Sequence, residues 1–291
     1  MKTLGRIIKG IGGFYYVHDG QTVYECKAKG SFRNLKIRPL PGDMVEVETE
    51  EKAGASICAV LPRKNELYRP AAANVDTAVL YFAAKEPSPA PLLIDKLLIY
   101  YRSLGICPIL VFNKKDLCLP EETDELKNIY KDSGVALFVI STFEPSSVLP
   151  LKEALSGKMS VISGPSGAGK SSFVNLLVPG AEMQTGELSR KLGRGRHTTR
   201  HTELFRICED TFIMDTPGFT AFEPENVSPE ELSEYYPEFS PYTEKCAFKD
   251  CVHIGERQCA VKDAVNAGKI SRIRYENYKK IYCETKDKKQ Y

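Results

Sequence analysis

The 291-residue chain contains no apolar run near the roughly 18–20 residues that a membrane span requires, so a transmembrane segment is not expected. Its first residues, Met1-Lys2-Thr3-Leu4-Gly5-Arg6, lack the apolar core and small-residue cleavage site of a secretory signal. It also has little excess charge. Forty Lys and Arg stand against 38 Asp and Glu, and a formal net charge of +2 points by itself to no polyanionic partner. No internal repeat of solenoid period is present. Nine cysteines, an odd number without a secretion signal, predict a cytosolic protein with reduced thiols, in which clustered cysteines suggest metal before disulfide. With 42% hydrophobic and 27% charged residues, the chain is not wholly disordered, and its length predicts two or three domains.

Residues 1–68 read as all-β. Apolar and β-branched stretches recur over 6–9, 13–18, 22–26, 43–48 and 56–61, with turn chemistry at Asp19-Gly20 and Pro41-Gly42-Asp43. Five short strands predict a small barrel, an OB-fold before an SH3-like one. Arg69-Pro70-Ala71-Ala72-Ala73 reads as a linker into a second domain, 69–221. There, strand runs (77–82, 108–112, 136–140, 159–163, 204–207 and 211–214) alternate with helical stretches (92–103, 121–133, 148–155 and 170–177). Such alternation predicts an α/β domain with a mostly parallel sheet. Residues 222–291 form a third region. It begins acid-rich, with a helix start near 226–231, and continues into a Cys/His cluster, short helices and a basic tail.

Gly164-Pro165-Ser166-Gly167-Ala168-Gly169-Lys170-Ser171-Ser172 lies between a strand and a helix and satisfies G-x-x-x-x-G-K-[ST]. Glycines let backbone N–H groups close on phosphate oxygens, Lys170 neutralises the β- and γ-phosphates, and the Ser171 hydroxyl suits Mg²⁺. Asn113-Lys114-Lys115-Asp116 follows another buried strand and matches N-K-x-D. The Asp116 carboxylate can accept both N1–H and the exocyclic amine of guanine, which adenine cannot offer. Asn113 can bond the other edge of the base and tie down the loop, and the Lys114 stem can cover the ring. Ser141-Thr142, at the end of the next strand, sits where a backbone contact to guanine O6 is expected, although Thr142 departs from the usual Ala. Asp215-Thr216-Pro217-Gly218 matches D-x-x-G, with Asp215 directed to Mg²⁺ and the Gly218 N–H to the γ-phosphate.

The guanine motif precedes the phosphate loop, the reverse of the usual GTPase order. A circularly permuted domain reconciles the two, because the termini of compact domains lie close together. Cys246-x4-Cys251-x-His253-x5-Cys259 supplies three thiolates and an imidazole within 14 residues, a donor set for one closed, structural Zn²⁺. Cys26, Cys58, Cys107, Cys118, Cys208 and Cys283 are scattered, and several lie on apolar runs and read as small buried core residues before ligands. Both ends of the chain are basic. Residues 1–40 carry eight Lys/Arg and two Asp/Glu, and residues 262–291 carry nine and four. Lys27, Lys29, Arg33, Lys36 and Arg38 surround a barrel loop with Phe32 among them, and Arg272 and Arg274 lie among Tyr275, Tyr278 and Tyr282. Both clusters are candidate RNA contacts.

A small barrel, a permuted GTPase and a Cys/His C-terminal region together resemble the bacterial RsgA (YjeQ) family over essentially the whole chain. The resemblance implies a cytoplasmic, monomeric GTPase of late small-ribosomal-subunit maturation that binds rRNA and is stimulated by the subunit. The loop Gly193-Arg194-Gly195-Arg196-His197-Thr198-Thr199-Arg200 would then be the switch. Thr198 or Thr199 would complete the Mg²⁺ shell, and Arg194 and Arg196 would meet RNA. Phe219 occupies the place where many GTPases carry a water-orienting Gln, and the resemblance suggests His197 as its substitute, with rRNA phosphate contact as the alternative. Some related GTPases bind K⁺ through an Asn in the phosphate loop; the position here is Gly167, which leaves potassium dependence open. A nucleotide kinase, which the phosphate loop alone would suit, and a passive GTP-holding RNA module are the rival readings.

Overall fold

The computed structural model describes residues 2–30, 32, 37–50, 54–68, 70–178, 203–215 and 227–288. Its contacts divide the chain into two compact units, one comprising Met1–Ala78, Leu149–Ser163 and Gly169–Pro217, the other Val79–Val148, Gly164–Ala168 and Gly218–Tyr291.

The first unit opens with the barrel. Strands β1 (Lys2–Ile11), β2 (Phe14–His18), β3 (Val23–Ala28), β4 (Met44–Glu50) and β5 (Gly54–Val60) close in the order β1-β2-β3-β5-β4. Only β3 and β5 run parallel. This is the five-stranded Greek-key order of the OB-fold. Period-two patterning turns Ile7, Val17, Cys26, Val45, Val47 and Ile57 into a fully buried core. Phe32, expected among the RNA-facing residues, is instead 5% exposed and packs against that core. Burying its ring removes more apolar surface from water than any loop position could.

The expected linker is also built in. β6 (Glu66–Leu67) pairs with β7 (Ala72–Ala73), and both alanines are fully buried. Asn65 exchanges hydrogen bonds with the Val75 backbone at 2.8 and 2.9 Å, and the Asn74 amide donates to the Gly42 carbonyl at 3.1 Å. Gly42 has φ +95°, and a Cβ there would lie 2.0 Å from the Ala73 carbonyl oxygen. The turn and the hairpin therefore meet through a residue that must be glycine. A short alanine run carries no periodicity, so its burial was not legible locally.

Six further strands, β8 (Thr77–Ala83), β9 (Cys107–Asn113), β10 (Ala136–Val139), β11 (Met159–Ser163), β12 (Leu204–Cys208) and β13 (Thr211–Asp215), form a sheet of order β10-β9-β8-β11-β13-β12. β9/β10 and β11/β13 are parallel, and β12 returns antiparallel on β13. β8 is buried at all seven positions, as a strand covered on both faces requires. The helices are α1 (Pro91–Ser103), α2 (Pro120–Tyr130), α3 (Pro145–Ala154) and α4 (Lys170–Leu177). α1 and α2 each start on proline, which suits a first turn lacking N–H partners. α1 buries Ile94, Leu97, Leu98 and Ile99, in keeping with its apolar faces.

In the second unit, 3₁₀ turns at Leu232–Tyr235 and Pro237–Phe239 lead to α5 (Ser240–Thr243), α6 (Ala260–Asn266) and α7 (Arg272–Lys288). The expected helix start near 226–231 is a cap on the first 3₁₀ turn. The Ser228 hydroxyl donates to Glu231 at 2.7 Å and accepts the Glu231 N–H at 3.3 Å. α7 corrects the reading of the basic tail. Arg274 is 1% exposed, and Tyr275 and Tyr278 are buried in the aromatic core with Tyr236 and Phe239. The Arg274 guanidinium donates to Glu238 at 2.7 Å and to Asp95 on α1, and Asn277 donates to the other Asp95 oxygen at 2.8 Å. The same guanidinium lies 4.7 Å above the Tyr236 ring. Arg274 is therefore a core cation held by two carboxylates and is not available to RNA.

The scattered cysteines need a correction as well. Cys26 alone of the six is buried, Cys58 and Cys118 are half-buried, and Cys107, Cys208 and Cys283 are exposed. No helix among the described residues is long and apolar enough to cross a membrane.

Candidate functional site

The phosphate loop follows β11 and ends where α4 begins at Lys170. Gly164 has φ +153°, and a Cβ there would stand 1.9 Å from the Tyr81 carbonyl oxygen, so the loop can start only with glycine. Ser166 and Gly167 are exposed, Ala168 is fully buried, and Ser171 and Ser172 are half-buried. Lys170, at the first turn of α4, is 8% exposed. The exposed Ser166 and Gly167 form the crest of the loop.

Asn113, 1% exposed at the end of β9, uses both ends of its carboxamide. Nδ2 donates to the Ala168 carbonyl at 3.0 Å, and Oδ1 accepts the Thr142 N–H at 3.2 Å. One side chain thus joins the N-K-K-D turn to the phosphate loop and to the loop after β10. Lys114 adopts a left-handed conformation, φ 64°, and its ammonium reaches the Glu86 carbonyl. Lys115 pairs with Glu144 at 2.7 Å. Asp116 is exposed and accepts a 2.5 Å hydrogen bond from the buried Ser141 hydroxyl. The Ser141 hydroxyl also accepts the Phe143 N–H at 3.2 Å, and the Ser147 hydroxyl accepts the Ser141 N–H at 3.0 Å. Glu86 and Ser147 were not legible beside these motifs, because Glu86 takes part through its backbone carbonyl, 28 residues from Lys114, and Ser147 through a hydroxyl bond that no motif spacing encodes. The arrangement leaves a carboxylate at an exposed rim, with its orientation fixed from below.

Asp215 ends β13, with its backbone opposite Ile162 in the parallel register with β11. Thr216, Pro217, Gly218, Arg194, Arg196, His197, Thr198 and Thr199 lie outside the described residues, as do Arg33 and Lys36. Of the proposed RNA contacts, Lys27, Lys29, Arg38 and Arg272 are exposed. Lys29 pairs with Glu48 at 2.6 Å, and Lys27 stands 5.1 Å from the Phe14 ring centre.

The four residues of the Cys/His cluster converge. His253 Nδ1 lies 3.3 Å from the Cys251 and Cys259 sulfurs and 3.6 Å from Cys246, with Cys246 and Cys259 3.9 Å apart. All four donor atoms fall within 4.8 Å of one another. Edges of this size match a tetrahedron with metal–sulfur bonds of about 2.3 Å and metal–nitrogen bonds of about 2.0 Å. Supports surround it. Tyr275 and Tyr278 donate to the His253 and Val252 carbonyls, each at 2.7 Å, and Glu256 accepts the Val252 and Ile254 N–H groups at 2.7 and 2.9 Å. Burial pushes the Cys251 thiol up to about 12, a cost that a divalent cation reverses by taking the thiolate. The donor set and spacing are compatible with zinc.

A family model described as RsgA GTPase matches residues 60–225, and one described as RsgA N-terminal domain matches residues 4–57. The chain belongs to the RsgA GTPase family. Members of that family hydrolyse GTP, and the chain is such an enzyme. The small ribosomal subunit biogenesis GTPase RsgA of Agathobacter rectalis is 44% identical over 300 residues, covering 99% of each chain. Among solved structures, YjeQ from Thermotoga maritima aligns with a TM-score of 0.82 at 32% identity, over 98% of this chain and 99% of that one. YloQ, described as a circularly permuted GTPase, aligns at 0.81 and 33% identity, over 99% and 96%. The RsgA order, with the guanine-type motif on β9 ahead of the phosphate loop after β11, is the permuted one.

Proposed function

We propose that the chain acts in the cytoplasm, as a monomer, in late maturation of the small ribosomal subunit, binding the subunit's rRNA and hydrolysing GTP to GDP and phosphate on it. The Asn113 carboxamide carries this reading, because it joins a guanine-type loop to a phosphate loop at hydrogen-bond distance. Asp116, oriented by the Ser141 hydroxyl, accepts N1–H and the amine of guanine, Lys114 covers the ring, Lys115 holds the turn, and the Thr142 N–H, bonded to Asn113 Oδ1 without guanine, is shared with O6 when the base binds. Residues 164–172 cradle the phosphates, Lys170 neutralises them, and the Gly218 N–H meets the γ-phosphate. Ser171, Asp215 and Thr198 or Thr199 would hold Mg²⁺, which supplies charge neutralisation on the phosphates. His197 orients the attacking water. Cys246, Cys251, His253 and Cys259 would hold one Zn²⁺, which supplies a structural cross-link.

The chain is organised as a barrel over 1–68, a GTPase domain over 69–221 and a metal-binding domain over 222–291. Lys27, Lys29, Arg33, Lys36, Arg38, Arg194, Arg196 and Arg272 contact rRNA, mainly at phosphates. Release of phosphate from GTP and from ATP, with and without purified small subunits at two salt concentrations, tests the reading. Selective hydrolysis of GTP, stimulated by subunits and weakened by salt, is the expected result. GTP binding without stimulation by any subunit would overturn the ribosomal role.

A further inference from the structure

β10 is the outer strand of the sheet, and no described strand pairs with its other side. The Ile140 N–H donates to Phe112, and the Ile140 carbonyl accepts from Lys115. Alternation along a parallel strand then turns the N–H and C=O of Leu137 and Val139 away from β9. An open strand edge of this kind is a template for a further strand unless charge, proline or a covering element blocks it. β10 itself, Ala-Leu-Phe-Val, has neither charge nor proline.

Beside this edge, against α2, lies an open groove of about 630 Å³. Its floor includes the half-buried Leu137, Val139 and Cys118. Its charged lining residues are Lys115, Lys127 and Lys131, and no acidic side chain lines it. Lys115 and Lys127 reach Glu144 and Asp124 at 2.7 and 2.8 Å, but neither acid is in the groove, and exposed ion pairs of this kind are worth at most about 1 kcal/mol. Leu117 and Leu119, 44% and 65% exposed, stand next to the groove residues Cys118 and Pro120 in the chain.

We infer that this edge is a docking site for an extended, acidic segment of a protein partner, added to the sheet as a strand beside β10. The outward backbone groups of Leu137 and Val139 recognise its main chain. Its inward side chains rest on the apolar floor, and its carboxylates meet the three lysines. Nucleic acid would satisfy the lysines but would leave the strand edge and the apolar floor without partners.

The test uses the full chain with GDP. Its probes are a fluorescent peptide of alternating valine and glutamate, the same peptide with lysine for glutamate, and a single-stranded oligouridylate. Fluorescence anisotropy reads affinity, and hydrogen exchange reads the amides of β10. The acidic peptide is expected to bind and to slow exchange at Leu137 and Val139. The double variant Lys127→Glu/Lys131→Glu, both surface positions on and after α2, is expected to weaken it about tenfold with GTP hydrolysis unchanged. Failure of the acidic peptide to bind, equal binding of the lysine peptide, protection elsewhere than β10, or tighter binding of oligouridylate lost in the double variant would each overturn the proposal.

Discussion

Asn113 and Ala168, 55 residues apart in sequence, are joined by a 3.0 Å hydrogen bond from the Asn113 amide to the Ala168 carbonyl. Both residues are buried, so this bond has little competition from water. It fixes the distance from the turn that presents Asp116 to the loop that leads into Lys170. Replacing Asn113 with alanine leaves the Ala168 carbonyl and the Thr142 N–H without their partner. The expected cost is about 1–3 kcal/mol in urea unfolding without nucleotide. A larger loss is expected in GDP affinity measured by titration calorimetry, because base and phosphate would no longer be held at one spacing. Unchanged GDP affinity would remove Asn113 from the site.

Asp116 offers two acceptor oxygens, one of them already bonded by the Ser141 hydroxyl. An asparagine at 116 presents one acceptor and one donor. That pattern no longer fits the N1–H and amine of guanine, but it fits the N1–H and C2 carbonyl of xanthine. Asp116→Asn is therefore expected to lower GTP hydrolysis at least 100-fold while hydrolysis of xanthosine triphosphate rises, since buried polar groups without partners discriminate by about 10⁴–10⁵ at well-formed sites. Steady-state phosphate release with the two nucleotides checks it, and equal loss with both would place Asp116 outside base recognition.

Asp95 titrates unusually. Complete burial pushes its carboxyl up to about 6, outweighing the Arg274 guanidinium and the Asn277 amide that favour its charge, and the neighbouring Glu238 adds to the rise. The folded-state value is above the ordinary 3.8, so the folded protein holds a proton that the unfolded chain has released between pH 4 and pH 6. Stability from this group is thus greatest at low pH and is lost as pH rises through that window. The difference in unfolding free energy between the natural protein and Asp95→Asn is expected to fall between pH 4 and pH 7. A flat difference would show that Asp95 stays ionised.

The same cluster shows where the sequence was and was not legible. β11 and α4 fall where the residue pattern put them, because the short run Met-Ser-Val-Ile-Ser, with no charge and no strand breaker, and a G-K-S start leave little choice. The barrel strands fall within a few residues of expectation for the same reason of period. Arg274 could not be read this way. In a tail rich in Lys and Arg, a solvated face is the ordinary outcome, and the carboxylates that bury this one lie at Asp95 and Glu238, 179 and 36 residues away. The signal was the spacing of Tyr275, Tyr278 and Tyr282, which marks the buried side of α7 and puts Arg274 next to it. The convergence of Asn113 on two loops was half legible. N-K-x-D announces the loop, but the partner atoms are backbone groups, which carry no sequence signature.

The Cys/His cluster and α7 are coupled by named bonds, so removing a metal should have a directed effect. Tyr275 and Tyr278 on α7 hold the His253 and Val252 carbonyls, and the Phe239 ring stands edge-on to His253 at 5.8 Å. The purified chain is expected to carry one zinc by elemental analysis, and Cys251→Ser to carry little. Without metal, one buried and two half-buried thiols and a buried imidazole lose the cation that holds them together, and a structural zinc contributes to folding free energy directly. Hydrogen exchange should then rise over Val252, His253 and α7, and next at α1, where Asp95 meets Arg274. The barrel core at Ile7, Val45 and Ile57 has its own buried cluster and should be unaffected. Exchange that rises in the barrel as much as in α7 would mean that the metal supports the whole chain. A zinc-free protein with unchanged exchange would mean that the four residues form a reduced, hydrogen-bonded cluster and no metal centre.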